Sequence, residues 1–153
     1  MYFRTVDDAI SAAQTAHQTL VAIPLEKRKE IIANIRKRAA EDVHTLAEMA
    51  QEETGLGRVE DKIKKNLLVI HKTPGPEILQ PTAYTGDDGL ALIERAPFGV
   101  VASITPCTNP TETIINNGIG MVSGGNAVTF NTHPAAKGVS AYCIDLINRA
   151  SME

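Results

Sequence analysis

The sequence predicts an α/β fold, and three observations lead to it. Apolar residues recur at helical spacing between residues 6 and 72, and two strand-like runs follow between residues 78 and 95. From residue 97 onward, two strand-plus-helix units come one after the other, which is the pattern of parallel strands joined by a right-handed crossover. We therefore expect a helical layer over residues 1–75, a β-hairpin over residues 76–96, and the start of a doubly wound, Rossmann-like parallel sheet over residues 97–153.

Three amphipathic helices make up the predicted helical layer. The first has its apolar stripe at residues 6, 10, 13, 17 and 20, and the second is a long helix that begins at Pro24. The stripe of this long helix comprises Ile32, Ile35, Ala39, Val43, Leu46 and Ala50. Glycines at positions 55 and 57 end it, and a third helix over residues 58–72 carries Ile63, Leu67 and Ile70 on one face.

The next segment has the pattern of a β-hairpin. Two apolar or β-branched runs, residues 78–85 and 90–95, flank the sequence Gly86-Asp87-Asp88-Gly89, which is typical of a four-residue loop. A two-stranded hairpin is marginally stable in water. We therefore expect this one to pair with another part of the chain or with another subunit.

The last segment begins with a continuous apolar run, residues 98–104, which predicts a strand buried on both faces. Asn109 is the expected N-cap of the following helix, with Pro110 at its first position and Glu112 bonding back to the cap. A second strand, residues 126–131, leads to another helix that begins near His133 and Pro134. Both helix N-termini would open at one sheet edge and favour phosphorylated or nucleotide ligands. The alternative is that Asn109 and His133 serve only as caps.

Composition and charge exclude several classes of protein. The chain has 153 residues and a net charge of -3, and no apolar run approaches the roughly 20 residues that span a bilayer. Basic triplets in the helical layer alternate with glutamates, which favours a solvated surface over a nucleic-acid partner. The N-terminus lacks the features of a signal peptide, so we expect a cytoplasmic protein without a membrane or nucleic-acid partner. Two cysteines and four scattered histidines predict no metal site.

Several motifs in register resemble the aldehyde dehydrogenase superfamily. They are Glu94-Arg95-Ala96-Pro97-Phe98-Gly99-Val100-Val101-Ala102-Ser103-Ile104-Thr105-Pro106, Thr108-Asn109-Pro110, Ile115-Asn116-Asn117, Gly125-Asn126-Ala127-Val128 and His133-Pro134-Ala135-Ala136-Lys137. Within the superfamily they are most similar to the CoA-acylating enzymes of ethanolamine and propanediol utilisation. The resemblance extends over essentially the whole chain. It implies the N-terminal part of an incomplete aldehyde dehydrogenase fold, in an enzyme that converts a short-chain aldehyde to its acyl-CoA with NAD and coenzyme A.

The resemblance also implies roles for residues at the sheet edge. Ile104, Thr105 and Pro106 would line the nicotinamide side of the cofactor cleft. The loop after them would supply an amide that stabilises the oxyanion of the aldehyde adduct, and we assign this role to Asn109, with Thr108, the ungapped match, as the second candidate. Asn131 and Pro134, with His133 between them, stand where hydrolytic members have the lysine and glutamate that bind the adenosine ribose. This departure is typical of the acylating branch and implies a site open to the adenine ends of NAD and CoA in turn.

The family mechanism requires a nucleophilic cysteine, and the resemblance places it downstream of residue 153. Cys107 is the alternative nucleophile, since it follows a strand near a helix N-terminus, but it stands at a small-residue position of the family motif. Cys143 lies on an apolar helix face and is expected in the core. We therefore expect no activity from the chain alone.

The resemblance finally implies how the protein assembles. The hairpin is similar to the arm through which these enzymes form homo-oligomers, and such enzymes are often packaged in bacterial microcompartments through an amphipathic N-terminal extension. The sequence begins too late, at Met1-Tyr2-Phe3, to show such an extension. The alternative function is a non-catalytic module that binds nucleotide or assembles with full-length subunits.

Overall fold

Helices, a hairpin and a parallel strand pair follow each other in the computed structural model, which describes residues 2–153 and leaves Met1 outside the described residues. The elements are α1 (Val6–Val21), α2 (Leu25–Glu41), α3 (Val43–Thr54), α4 (Val59–Lys72), β1 (Thr82–Gly86), β2 (Gly89–Ile93), β3 (Val100–Thr105), α5 (Pro110–Ser123), β4 (Ala127–Thr132) and α6 (Lys137–Ser151). The predicted α/β class and order of elements are confirmed. Among the described residues, no helix is long and apolar enough to cross a membrane.

The predicted long helix is wrong in one respect, because it is broken at Asp42 into α2 and α3. The Asp42 backbone leaves the helical region at φ -104° and ψ 12°, and its carboxylate accepts a hydrogen bond from the Tyr142 hydroxyl of α6 at 2.7 Å. Aspartate competes with the helical backbone for hydrogen bonds, so it favours such a junction. The predicted stripe is nevertheless buried on both sides of the break, from Ile32 to Ala50.

The core lies between α2, α3, α4, α5 and α6. Its fully buried members include Ile35, Leu46, Ile114, Ile119 and Cys143. Burial raises the pKa of the Cys143 thiol far above its ordinary value, because a thiolate would lose its hydration there. The expectation that Cys143 is a core residue is confirmed.

Two predicted helix faces differ from those observed. In α1, Ala13 is buried but Val6 is 73% exposed, so the first half of the stripe is uncovered. In α4, Ile63 and Leu67 are only half-buried, while Lys62 and Asn66 lie fully inside together with Ile70. The buried face of α4 is therefore largely polar, which apolar periodicity does not predict.

The hairpin forms with a shorter loop than predicted. Gly86 pairs with Gly89, so the turn contains two residues, Asp87 and Asp88, instead of four. The first run is also shorter, because Ile78 belongs to a 3₁₀ turn, Pro76–Ile78. Every residue from 80 to 98 is exposed, so the hairpin leaves apolar side chains and two strand edges open to solvent.

The strands β3 and β4 are parallel, as predicted, with Ile104 beside Asn131 and Thr105 beside Thr132. Burial of β3 on both faces is not observed. Ser103 and Thr105 are buried on the inner face, whereas Ile104 on the opposite face is 80% exposed. Among the described residues, β3 and β4 form a two-stranded sheet of their own, separate from the hairpin, and the exposure of Ile104 shows that one face of β3 is uncovered near its carboxyl end.

Candidate functional site

The carboxyl ends of β3 and β4 bring together the loops that the sequence singles out. Because Ile104 and Asn131 are neighbours across the strand pair, residues 106–109 and residues 133–134 emerge side by side at one sheet edge. Ile104, Asn131, His133 and Pro134 are exposed there. Thr105 differs, since its side chain is 2% exposed and its Oγ1 has no hydrogen-bond partner among the described residues. Pro106 is half-buried.

Residues 106–109, which we call the 106–109 loop, end at Asn109 in the N-cap position of α5. Pro110 occupies the first helical position as predicted, and the Asn109 carbonyl accepts hydrogen bonds from the Thr113 amide at 3.1 Å and from its hydroxyl at 2.7 Å. The Asn109 side chain makes no cap bond. Asn109 and Thr108 are both exposed, so their side chains face outward at the sheet edge and can donate to a ligand there.

The predicted return bond from Glu112 to Asn109 is wrong. Glu112 is buried at 5% exposure, and its Oε2 accepts a hydrogen bond from the Thr111 hydroxyl at 3.2 Å. Its Oε1 lies 3.3 Å from the ammonium of Lys65 in α4. The carboxylate is therefore held by α4 instead of capping its own helix, although it still lies in the first turn, where the helix dipole favours a negative charge.

Lys62 reaches the 106–109 loop from beneath and was not indicated by the sequence patterns. Its side chain is 2% exposed, and its Nζ donates to the Thr108 carbonyl oxygen at 3.5 Å. Burial lowers the pKa of Lys62, while the nearby Glu112 carboxylate opposes this shift and the Lys65 ammonium adds to it. One signal was available, because Lys62, Asn66 and Ile70 are spaced four residues apart and share a helix face. Lysine is rarely buried, however, so this spacing by itself predicts a helix face that is exposed to solvent.

The loop after β4 is capped by one of its own residues. His133 Nδ1 accepts a hydrogen bond from the Ala135 amide at 3.1 Å and caps the 3₁₀ turn Pro134–Ala136, so His133 acts as a cap. The side-chain ring is exposed, which leaves its surface available at the sheet edge.

The N-terminus of α6 is not open as expected, because Glu53 of α3 occupies it. Its carboxylate oxygens accept hydrogen bonds from the Gly138 amide at 2.8 Å and from the Val139 amide at 2.7 Å. A Cβ atom at Gly138 would lie 3.2 Å from one of these oxygens, so glycine permits the close approach. A phosphate at this helix N-terminus would have to displace a carboxylate that already balances the helix dipole.

Cys107 is half-buried and packs against a small apolar cluster of Ala50, Ala136 and Val139. Among residues 2–153, no group of three or more histidines, cysteines or acidic residues lies close enough together to hold a metal ion. The polar groups at this edge are the side chains of Thr108, Asn109, Asn131 and His133, with the Lys62 ammonium beneath the 106–109 loop.

A family model described as "Aldehyde dehydrogenase family" matches residues 3–153 of this chain. The chain belongs to the aldehyde dehydrogenase family. It is 50% identical over 151 residues to acetaldehyde dehydrogenase (acetylating) of Bilophila wadsworthia (strain 3_1_6), and 51% identical over 148 residues to acetaldehyde dehydrogenase (acetylating) EutE of Escherichia coli (strain K12). These matches cover 99% and 97% of this chain, respectively, but 31% of each relative.

Solved structures of aldehyde dehydrogenases share the fold of this chain. It matches a propionaldehyde dehydrogenase from the fucose utilisation bacterial microcompartment of Clostridium phytofermentans with a TM-score of 0.95, at 51% identity, over 98% of this chain and 34% of that one. It also matches a Rhodopseudomonas palustris propionaldehyde dehydrogenase, with bound CoA and an acylated cysteine, with a TM-score of 0.94 at 43% identity, over 98% of this chain and 35% of that one. The chain thus spans about a third of the length of these aldehyde dehydrogenases and matches their N-terminal portion.

Proposed function

We propose that this chain is the N-terminal portion of a CoA-acylating aldehyde dehydrogenase, which converts a short-chain aldehyde, NAD and CoA to acyl-CoA and NADH. One observation carries the proposal, which is the sequence identity near 50% that almost the whole chain shares with acetylating enzymes. The TM-score of 0.95 between this chain and a propionaldehyde dehydrogenase agrees with it.

The open sheet edge is the proposed place for the cofactors. Ile104, Thr105 and Pro106 would meet the nicotinamide side, and Asn131, His133 and Pro134 would meet the adenine ends of NAD and CoA. The fit rests on exposure and charge, because Asn131 near the end of β4 and His133 and Pro134 after it are exposed, and neither Asn131 nor Pro134 carries a charge that would select one ribose. Thr105 would contribute through its backbone, since its side chain is buried. When bound, NAD would accept a hydride and CoA the acyl group.

Asn109 is the proposed oxyanion donor, with Thr108 as the second candidate. A donor of this kind must be exposed at the site and not engaged elsewhere, so that it can meet the charge that develops in the transition state. Both side chains are exposed, and no hydrogen bond engages the Asn109 amide among the described residues. The nucleophilic cysteine is proposed to come from outside this chain, because Cys107 packs into an apolar cluster.

A chimera tests the proposal directly. This chain would replace the matching N-terminal portion of the E. coli acetaldehyde dehydrogenase, and acetaldehyde oxidation would be followed by NADH formation with and without CoA. We expect CoA-dependent turnover from the chimera and none from the 153-residue chain alone. A folded chimera without CoA-dependent turnover would contradict the proposal. Turnover by the chain alone would contradict the external nucleophile, and Cys107→Ala would then identify its source.

The exposed hairpin and one of the solved structures bear on assembly and location. We propose that the hairpin arm, residues 76–96, forms homo-oligomer contacts and that residues 1–75 and 97–153 form the helical layer and the cofactor sheet. The exposure of residues 80–98 supports the arm, because apolar strands of this kind need a partner. The match to an enzyme of a fucose utilisation microcompartment supports a cytoplasmic protein packaged in such a compartment. Detection of the protein in purified microcompartments would test this.

A further inference from the structure

Lys62 is a fully buried lysine whose surroundings do not explain it as a simple packing residue. Its side chain is 2% exposed, and the backbone of Gly57, at φ +73°, lies beside its stem, so that a Cβ there would be 3.8 Å from Cε. Burial of an ammonium costs free energy unless acceptors replace water. The hydrogen-bond acceptor that the structure provides is the Thr108 carbonyl oxygen at 3.5 Å.

The charges around Lys62 leave an excess of positive charge beneath the 106–109 loop. Glu112 is the nearby anion, and it is already paired with Lys65 at 3.3 Å. Cys107 belongs to the same loop, one residue before Thr108, and a negative charge there would raise the pKa of Lys62. Two ammonium groups therefore face one carboxylate beside the loop that carries the proposed oxyanion donor.

We propose that Lys62 is a positioning residue, which holds the Thr108 carbonyl and thereby sets the direction of the Thr108–Asn109 peptide and of the Asn109 side chain. The inference rests on the proposed function, because it assigns Lys62 to the oxyanion loop of that reaction. Asn109 has no side-chain cap bond that would hold it, so the hydrogen bond from Lys62 to the preceding carbonyl restrains the loop from the α4 side. The ammonium also leaves a positive potential at the edge where negative charge would develop.

Two measurements on the 153-residue chain test the anchor without any catalytic assay. The first is the NMR signal of the Lys62 ammonium in the unaltered chain. We expect slow proton exchange and a correlation with the Thr108 carbonyl. Exchange as fast as that of exposed lysines would overturn the proposal.

The second measurement compares alkylation of Cys107 by iodoacetate, which is anionic, and by iodoacetamide, which is neutral. Cys143 is fully buried and does not compete. In Lys62→Met, which keeps the stem and removes the charge, the iodoacetate-to-iodoacetamide rate ratio should fall about three- to fivefold, the effect of one nearby charge in water. Lys62→Arg should retain the ratio, and Lys64→Met, at an exposed lysine of the same helix, should change it less. An unchanged ratio in a folded Lys62→Met chain would overturn the proposal.

The catalytic consequence is measured in the chimera. Lys62→Met should lower kcat at least tenfold with little change in KM for the aldehyde, Lys62→Arg should restore part of it, and Lys64→Met, at an exposed lysine of the same helix, should leave it near the unaltered value. Equal effects of Lys62→Met and Lys64→Met would overturn the positioning role. If the chimera itself is inactive, the proposed function fails, while the two measurements on the chain still decide whether Lys62 anchors the loop.

Discussion

The sequence predicts the position of Asn109 correctly but assigns it a hydrogen-bond partner, Glu112, that it does not have. Its position before Pro110 predicts the start of α5, and the structure agrees. The expected reciprocal bond with Glu112 does not form, because Glu112 is drawn to Lys65 of another helix. The side chain that a capping box would have engaged is therefore left exposed, which is what an oxyanion donor requires.

Removal of the Asn109 amide should affect the rate more than binding. In the chimera, we expect Asn109→Ala to lower kcat by about 10²- to 10³-fold with a small change in KM, as for other oxyanion donors. Thr108→Ala is the matched variant at the next position and should cost much less. Steady-state kinetics on both variants would decide the assignment, and a larger loss for Thr108→Ala would transfer the role to Thr108.

Lys62 should also make stability depend on pH in a defined direction. Burial lowers its pKa below the ordinary value of 10.5, so the unfolded chain holds the proton at a pH where the folded chain releases it. Between the lowered pKa and 10.5 the unfolded state binds more protons, and the free energy of unfolding contributed by Lys62 therefore increases as pH rises through this interval.

Urea unfolding at a series of alkaline pH values measures this contribution as the difference between the unaltered chain and Lys62→Met. The free energy of unfolding of the unaltered chain should increase relative to that of Lys62→Met as pH rises through this interval. Other groups that titrate in this range cancel in the comparison, and Lys64→Met provides the control at an exposed lysine of the same helix. A pH-independent difference would show that the Lys62 pKa is the same in both states.

At the scale of elements, the positions of helices and strands follow from local sequence patterns, whereas their ends and their buried faces depend on contacts with other elements of the chain. The stripe from Ile32 to Ala50 predicts burial correctly, yet the break at Asp42 depends on a hydroxyl 100 residues away. The face of α4 is misassigned because Lys62 is buried by contact with the 106–109 loop and not by hydrophobicity. Periodicity records the average preference of a residue type and contains no information about a single distant acceptor.

The junction between α3 and α6 should weaken when Glu53 is changed. Glu53→Ala removes both acceptors from the Gly138 and Val139 amides and should lower the free energy of unfolding by about 1 kcal/mol, as for loss of an N-cap. Glu52→Ala is the neighbouring control, at an exposed carboxylate. Urea unfolding of both variants measures the difference.

The same variant has a consequence for ligands. With the carboxylate gone, the α6 N-terminus should accept an anion, so inorganic pyrophosphate should stabilise Glu53→Ala more than the unaltered chain. Equal stabilisation of the two proteins would show that Glu53 does not compete with anions at this helix.

At the scale of the whole molecule, the exposed hairpin predicts self-association. Leu92 on β2 is 61% exposed, and Leu92→Lys should reduce association measured by sedimentation velocity, because a charge on an apolar strand face opposes burial. Leu68→Lys is the matched control, since Leu68 is 60% exposed on α4. A chain that is monomeric at every concentration, or one that responds equally to both substitutions, would contradict assembly through the hairpin.

The sequence by itself determined the α/β class, the order of elements, the parallel strand pair and the family, because each depends on spacing or on motifs that lie close together in the chain. It also located the sheet edge where Ile104, Asn109, Asn131 and His133 meet, since parallel strands place their carboxyl ends together. Only the tertiary structure decided that Glu53 occupies the α6 N-terminus and that Lys62 lies under the 106–109 loop. Both are polar contacts between residues 46 or more positions apart, and a favourable hydrogen bond of this kind depends on three-dimensional distance, which residue spacing does not encode.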